Sequence, residues 1–427
     1  MTSLITFPFK FTNAPAGFFS ERLVSVPYSL AKHRAGNGRK PQPVLAGRNV
    51  LSPCIDLNDY NCSAVVDWLE FAMETPEIHQ AVNAHRFLSN ALMALGSKST
   101  VHVSGPNRET GYKGHSFIVR IQQPRPRDVL RLMQQAVRHY NIDVAGIGCL
   151  PVRGIEVSVD FKIRANRELP SDERDIKRWQ IQDLLWRHLR VVPSFSELKN
   201  CSPRFTREGP KRTRADFVVQ QTTPKPASVI STAGIKGKQA SALMLSAYHQ
   251  PHLDMTYYVG SNQESVLLRV MDKRSDRRDP SRTSRDELPE KEWRARIEVS
   301  LLGAHGVVGV PEALGVGTVR DLVGFKFREV RKLVFEFYVP TFDGDGDVPI
   351  SGLRTSVTEL EAFRRGGVYG LDRFHQSLNE VATQTDLLDD DSLYAQPLGK
   401  KGRLVSYTAL NGKVDRALKA LETRWGG

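Results

Sequence analysis

Met255-Thr-Tyr-Tyr-Val-Gly-Ser261, followed by Val266-Leu-Leu-Arg-Val-Met-Asp-Lys273, sets the architecture of this chain. Two short apolar runs flank a turn sequence at Gly260-Ser261-Asn262, so the pair predicts a β-hairpin. A third run, Arg294-Ala-Arg-Ile-Glu-Val-Ser-Leu301, alternates strictly and predicts another strand. The three runs bring two tyrosines, an aspartate, a lysine, arginines and a glutamate into one sheet. A purely structural sheet has no need of that inventory, whereas a site that attacks a phosphodiester does.

Working outward, Ala64-Val-Val-Asp-Trp-Leu-Glu-Phe71 predicts a strand, with a helix opening at Pro76 and running to about Leu95. Ser99–Val103 and His115–Gln122 predict a strand pair. Arg127–Tyr140 places Val129, Leu132, Met133, Ala136 and Tyr140 at helical spacing. In Gly154-Ile-Glu-Val-Ser-Val-Asp-Phe161, Ile155, Val157, Val159 and Phe161 point one way and Glu156, Ser158 and Asp160 the other. A long helix is expected from Ser171, capped by a Ser or Asp side chain, to about Arg190. Residues 203–240 read as a basic loop, and Arg274–Glu292 as a charged one. A short helix is expected over Thr318–Phe327, a strand over Lys332–Tyr338 and a helix over residues 369–383. An acidic linker, Asp386–Asp391, precedes a helix over Thr408–Trp425, whose stripe of Leu410, Val414, Ala417, Leu418 and Leu421 must be buried on the main domain or on a second subunit. The expected fold is α+β, a central and mainly antiparallel sheet with helices on one face and further helices at the C-terminus. The expected organisation is a basic N-terminal arm (1–52), a catalytic domain (53–340) and a mostly helical C-terminal segment (341–427).

With 60 Lys and Arg against 47 Asp and Glu, the chain carries a formal charge of +13. That balance points to nucleic acid or another anionic surface, although an ordinary basic protein would show it too. The four cysteines lack zinc-finger or CxxC spacing. No apolar run approaches the roughly 18 residues of a membrane span, and no secretory signal is evident, so a cytoplasmic protein without membrane contact is expected. There is no P-loop lysine motif. Asp343-Gly-Asp-Gly-Asp347 fails as a calcium loop, because Val348 and Arg354 stand where glycine and glutamate are needed. His249-Gln-Pro-His252 lacks a third ligand and reads as a loop.

Asp67, Glu156, Asp160, Asp272 and Glu298 lie in or at the edges of predicted strands, where a carboxylate must face solvent or find a cation. Glu156 and Asp160 are four positions apart, about 13 Å along a strand. One of them paired with Glu298 on a neighbouring strand would suit Mg²⁺ or Mn²⁺. The competing reading is an open polar sheet face. Arg269, Lys273 and Arg296 suit phosphate, or else simply pair with the carboxylates. Tyr257 and Tyr258 are adjacent on a strand, so only one can face the acids.

Thr256-Tyr-Tyr-Val-Gly-Ser261, Leu268-Arg-Val-Met-Asp-Lys273 and Arg296-Ile-Glu-Val-Ser-Leu301 resemble the Rep-trans type of replication initiators, which serve rolling-circle plasmids and are related to relaxases of integrative elements. Ile155–Phe161 and Val66–Phe71 also resemble strands of that family, so the likeness runs from about residue 60 to 340. It implies a DNA strand transferase that nicks an origin, joins the 5′ phosphate to a tyrosine and later rejoins the strand. In this family acidic residues hold the divalent ion where other relaxases use a His-hydrophobic-His pair, and no His-x-His occurs here. Members commonly carry tyrosine where this chain has Met271. The resemblance therefore assigns the nucleophile to Tyr258, with Tyr257 in reserve. Asp160 and Glu298 become the ligands of Mg²⁺ or Mn²⁺, with Glu156 as substitute for Asp160. Arg269, Lys273 and Arg296 steady the phosphate, while Arg204, Arg207, Lys211, Arg212 and Arg214, with the N-terminal arm, grip DNA. Expected partners are double-stranded origin DNA, the single-stranded nick site, a helicase and a second copy in a homodimer. Two rival readings are a non-enzymatic origin-binding regulator, favoured by Met271, and a metal-dependent nuclease that cuts with water.

Overall fold

The hairpin strands pair as their sequence predicts, and they lie in the middle of the larger sheet. The computed structural model describes residues 3–9, 11, 25–32, 45, 47–106, 112–143, 149–164, 169–191, 204–208, 214–219, 243–245, 252–260, 265–276, 286–303, 310–343, 358–384 and 404–426. Strands β1 (Ser3–Pro8), β2 (Ser25–Lys32) and β3 (Arg48–Pro53) precede the long β4 (Tyr60–Gln80). Then come α1 (Ala81–Ala94), β5 (Thr100–Ser104), β6 (Lys113–Gln122), α2 (Pro126–Tyr140), β7 (Val152–Ile163) and α3 (Ser171–Arg187). β8 (Leu189–Val191), β9 (Arg204–Glu208), β10 (Arg214–Val219) and β11 (Leu243–Leu245) lead to the hairpin strands β12 (Thr256–Val259) and β13 (Val266–Lys273). A two-residue ribbon, β14 (Ser275–Asp276) with β15 (Asp286–Glu287), precedes β16 (Arg294–Leu302), α4 (Val310–Ala313) and α5 (Arg328–Val334). The chain closes with β17 (Phe335–Asp343), α6 (Glu359–Gln384), β18 (Leu404–Ser406) and α7 (Thr408–Gly426).

The fold is α+β. A ten-stranded sheet runs β11-β10-β9-β12-β13-β16-β7-β4-β6-β5, antiparallel except at β10–β11. A second sheet runs β1-β2-β3-β17-β18, with β8 also paired to β17. Alternation gives the large sheet an apolar side of Ile155, Val157, Val159 and Phe161 beside Ala295, Ile297, Val299 and Leu301, all buried. Helix α3 packs against β7, β13 and β16, and also against β2, β8 and α6. Apolar contact on several sides explains why its buried residues, among them Trp179, Ile181, Leu184, Leu185 and Trp186, follow no single stripe. Asp183 satisfies the buried Arg187 through two bonds of 2.7 and 2.8 Å. The other end of that guanidinium donates to the carbonyls of Phe363 and Arg364 in α6.

That approach depends on Gly367, which breaks α6 with φ +64° and ψ −157°. A Cβ there would lie 2.4 Å from the Arg187 carbonyl oxygen. Gly367→Ala combines a backbone conformation reserved for glycine with a backbone clash, each worth about 1–3 kcal/mol. Urea unfolding should show a loss of about 2–6 kcal/mol, the sum of those two costs. An unchanged midpoint would mean that α6 sits elsewhere on α3.

Several sequence expectations need correction. The first 52 residues are more than an arm. The alternation of Val26, Tyr28 and Leu30 buries one side of β2, and β3 joins β17 across nearly the whole chain. The boundary at residue 340 falls inside β17, whose partner β18 comes from the C-terminal segment. The region 203–240 contains β9 and β10, which extend the large sheet beyond β12. Strand β4 continues through Pro76 to Gln80, where its pairing with β6 is interrupted between Glu74 and His79 and a missing N–H costs little. Pro170 is the cap residue of α3, and no side chain caps it. The helix expected over 369–383 forms after the break at Gly367, and a further helical stretch from Glu359 precedes it. The α7 stripe is buried within this chain, with the helix packed on β4 and Arg424 donating to the Ala64 carbonyl. Asn411 adds a strand-like pair of bonds, 3.0 and 2.9 Å, to the backbone of Phe337 in β17. The acidic linker at 386–391 lies outside the described residues.

Candidate active site on the polar face of the sheet

The register draws the chemistry into a row. Tyr258 of β12 lies opposite Arg269 of β13, Arg269 opposite Glu298 of β16, and Glu298 opposite Ser158 of β7. Glu156 opposes Ser300, and Asp160 opposes Arg296, on the same side. A bulge in β4 supplies one more acid. Val66 pairs with Val157 and Trp68 with Glu156, which leaves Asp67 as an extra residue. A bulge re-aims its side chain, and Asp67 accepts from the Ser158 hydroxyl on the polar side.

Ligand oxygens of Asp67, Glu156 and Glu298 all lie within 4.8 Å of one another. Arg269 bridges Glu156 and Glu298, with 2.7 Å to the latter. Arg296 reaches Asp67 at 2.6 Å and Glu298 at 3.2 Å, and holds both oxygens of Asp160 at 2.5 and 2.8 Å. Ser300 donates to Glu156. Glu156, Ser158, Asp160, Arg296, Glu298 and Ser300 are all buried. The side chains of Arg269 and Asp67 remain 25 % and 17 % exposed, so the cluster opens to the surface on their side.

Burial raises the carboxyl of Glu156 to about 7, helped by Glu298 and Asp67 and opposed by Arg269 and Ser300. Burial likewise raises Asp67, against the pull of Arg296. Burial pushes Glu298 the same way, but Arg269, Arg296 and Lys273 outweigh it and hold this acid below its ordinary value. Asp160 is also held low, its desolvation outweighed by hydrogen bonds from Arg296. The ordinary pKa of Glu156 is 4.5, so between that value and about 7 the folded state binds the extra proton. Its contribution to stability is therefore present at low pH and is lost as pH rises through that window. Glu156→Gln removes the loss. The stability of the variant relative to the parent should rise between pH 5 and pH 8 in thermal melts. A difference independent of pH would contradict the assignment.

The structure redistributes the expected roles. Asp160, expected as a metal ligand, is enclosed by Arg296 and by Arg294 at 3.0 Å, and Asp67 takes its place in the acidic group. Arg296, expected at DNA phosphate, is 2 % exposed and spends its donors on buried acids. Tyr257, the reserve nucleophile, points to the other face, 5 % exposed and 6.3 Å from the ring of Trp186. Burial drives its phenol pKa far up. Tyr258 is half-buried and lies on the acidic side with Arg269, Met271 and Lys273. Asp272 turns the other way and pairs with Arg178 of α3 at 2.7 Å. Arg204 occupies the register position opposite Tyr258, Arg207 lies further along β9, and Arg214 opens β10. Lys211 and Arg212 lie outside the described residues.

Counted together, Asp67, Glu156, Asp160 and Glu298 meet Arg269, Arg294, Arg296 and Lys273, four formal negative charges against four positive ones. Three converging carboxylates are an oxygen donor set suited to a hard divalent ion, and Arg269 supplies the positive charge on two of them. The group of Asp67, Glu156 and Glu298 could therefore hold a metal ion in exchange for that guanidinium. No protein-family model matches the chain, and no curated protein is recognisably similar to it in sequence. Among the described residues, no helix is long and apolar enough to cross a membrane.

Proposed function

We propose that the protein is a metal-dependent DNA strand transferase of the kind that initiates rolling-circle replication. The observation that carries this reading is the row Tyr258–Arg269–Glu298, with Glu156 and Asp67 beside it. Asp67, Glu156 and Glu298 would hold Mg²⁺ or Mn²⁺, which when bound polarises a phosphate oxygen. The Tyr258 oxygen bonds to phosphorus while the 3′ oxygen of the cut strand leaves and becomes a hydroxyl. The phenol proton passes to the carboxylate cluster or to water. The phosphodiester energy is kept in the phosphotyrosine for rejoining. Arg269, once released from the acids, is positioned beside Tyr258 to offset charge on the phosphate.

Two assays test the reading. Supercoiled DNA carrying the protein's own origin should yield a nicked circle with Mg²⁺, and the labelled strand should shift in a denaturing gel until protease is added. Absence of nicked product at every metal concentration would reject it. Arg269→Gln should tighten Mn²⁺ binding roughly tenfold or more, because a unit charge about 4 Å away is worth several kcal/mol at an effective dielectric near 20. Calorimetry showing weaker binding would mean that the arginine supports the ion instead of competing with it.

One observation favours a second reading, a non-enzymatic DNA-binding protein on the same sheet. The acids are already paired with Arg269 and Arg296, so the cluster stands as an ion network without a metal. That reading expects origin binding that persists in chelator, with no strand cleavage.

A further inference from the structure

The helices of the large sheet carry an arginine row that the proposed chemistry does not use. In α2 the apolar face of Val129, Leu132, Met133, Ala136 and Tyr140 is buried. Arg127, Arg131 and Arg138 are exposed on the other side, with half-buried Gln134 between them. Positions 127, 131, 134 and 138 follow i, i+4, i+7, i+11 and so form one stripe. At 1.5 Å per residue the arginines span about 16 Å. Among the described residues none of the three has a carboxylate partner, which sets them apart from Arg364 and Arg365, both paired with Glu361. Asp128 is the only acid in α2, and α1 contains none. Phe87 of α1 stacks on His139 at 3.9 Å, which holds the two helices side by side, and α1 adds exposed Arg86.

We propose that the outer face of α1 and α2 binds the sugar–phosphate backbone of nucleic acid, with Arg127, Arg131 and Arg138 each facing phosphate. A rigid row of unpaired guanidiniums matches a regular line of negative charge, and each fork donates two hydrogen bonds to a phosphate. Its length equals about five steps of one DNA strand at 3.4 Å each. The stripe is a poor match to a lipid surface, because an interfacial helix inserts its apolar face and the apolar face of α2 is already committed to the core. Binding here reads no base sequence. The inference does not require strand cleavage, and it places duplex on a different part of the protein from Tyr258.

The test uses the full chain and a random-sequence duplex in chelator, followed by fluorescence anisotropy from 50 to 300 mM salt. Arg127→Gln/Arg131→Gln/Arg138→Gln keeps helix-compatible side chains. It should reduce the slope of log K against log salt by about 2.7, three phosphates at about 0.9 each. Circular dichroism checks that the variant is folded, and Arg127→Lys/Arg131→Lys/Arg138→Lys should keep most of the slope. An unchanged slope in the folded glutamine variant overturns the proposal. So does a wild-type protein that fails to bind the duplex but binds anionic vesicles or an acidic peptide. Chelator keeps the nicking chemistry out of the readout, so this result is independent of whether strand transfer occurs.

Discussion

Arg296→Met is expected to lower the free energy of unfolding by about 3–5 kcal/mol, the usual cost of removing one partner from a buried ionic network. Arg296 is 2 % exposed and meets three carboxylates: Asp160 through two bonds, Asp67 through one and Glu298 through one. Without it Asp160 retains Arg294, Glu298 retains Arg269, and Asp67 keeps only the Ser158 hydroxyl among the contacts described above. Methionine fills most of the volume, so the loss reports charge rather than packing. Lysine should not restore stability, since a point charge cannot serve three acids in a planar fork. Arg331→Met provides the comparison. Arg331 is also buried, but its partners Asp415 and Glu336 are about one-third exposed and stay solvated without it, so the loss should be clearly smaller than at Arg296. Urea titrations of the two variants measure the contrast. Equal and small effects would mean that the acids around Arg296 are solvated or protonated, and the site described above would lose its electrostatic basis.

Tyr258→Phe is expected to abolish covalent attachment to DNA, a fall on the order of 10³-fold or more, as for removal of a nucleophile. The ring stays, and the half-buried phenol oxygen contributes about 1 kcal/mol or less to folding. Loss of attachment with a nearly unchanged melting temperature separates chemistry from stability. Tyr257→Phe should have little effect on attachment, because that hydroxyl lies on the opposite face. If the Tyr258 variant still formed the adduct, strand transfer by this row would be ruled out.

Much of the sheet was legible in the sequence. Strict alternation in Gly154–Phe161 correctly put Glu156, Ser158 and Asp160 on one face, while the adjacency of the Glu298 strand, a condition of the expected metal site, comes from the register. What alternation could not reveal was the bulge at Asp67. Period-two reasoning treats every residue as paired, so the extra residue that turns this acid toward Glu156 and Glu298 leaves no mark in the local pattern. That Asp67 and not Asp160 converges with Glu156 and Glu298 has a related cause. Which acid is left for an ion depends on where Arg294 and Arg296 reach, and that is set by register across strands more than 130 residues apart. The place of the N-terminal strands in the fold has no local signature, because β3 pairs with β17 almost 300 residues later and a local window contains no trace of that pairing. Asn411, bonded to the backbone of β17 like a strand residue, is another long-range contact without a local signature.

The most direct measurement is mass spectrometry of the peptide that remains on origin DNA after cleavage in Mg²⁺ and proteolysis. The account predicts a nucleotide esterified to Tyr258, formed by the parent protein and greatly reduced in Asp67→Asn. A nucleotide on any other residue, or an adduct whose yield ignores Asp67, Glu156 and Glu298, would contradict it.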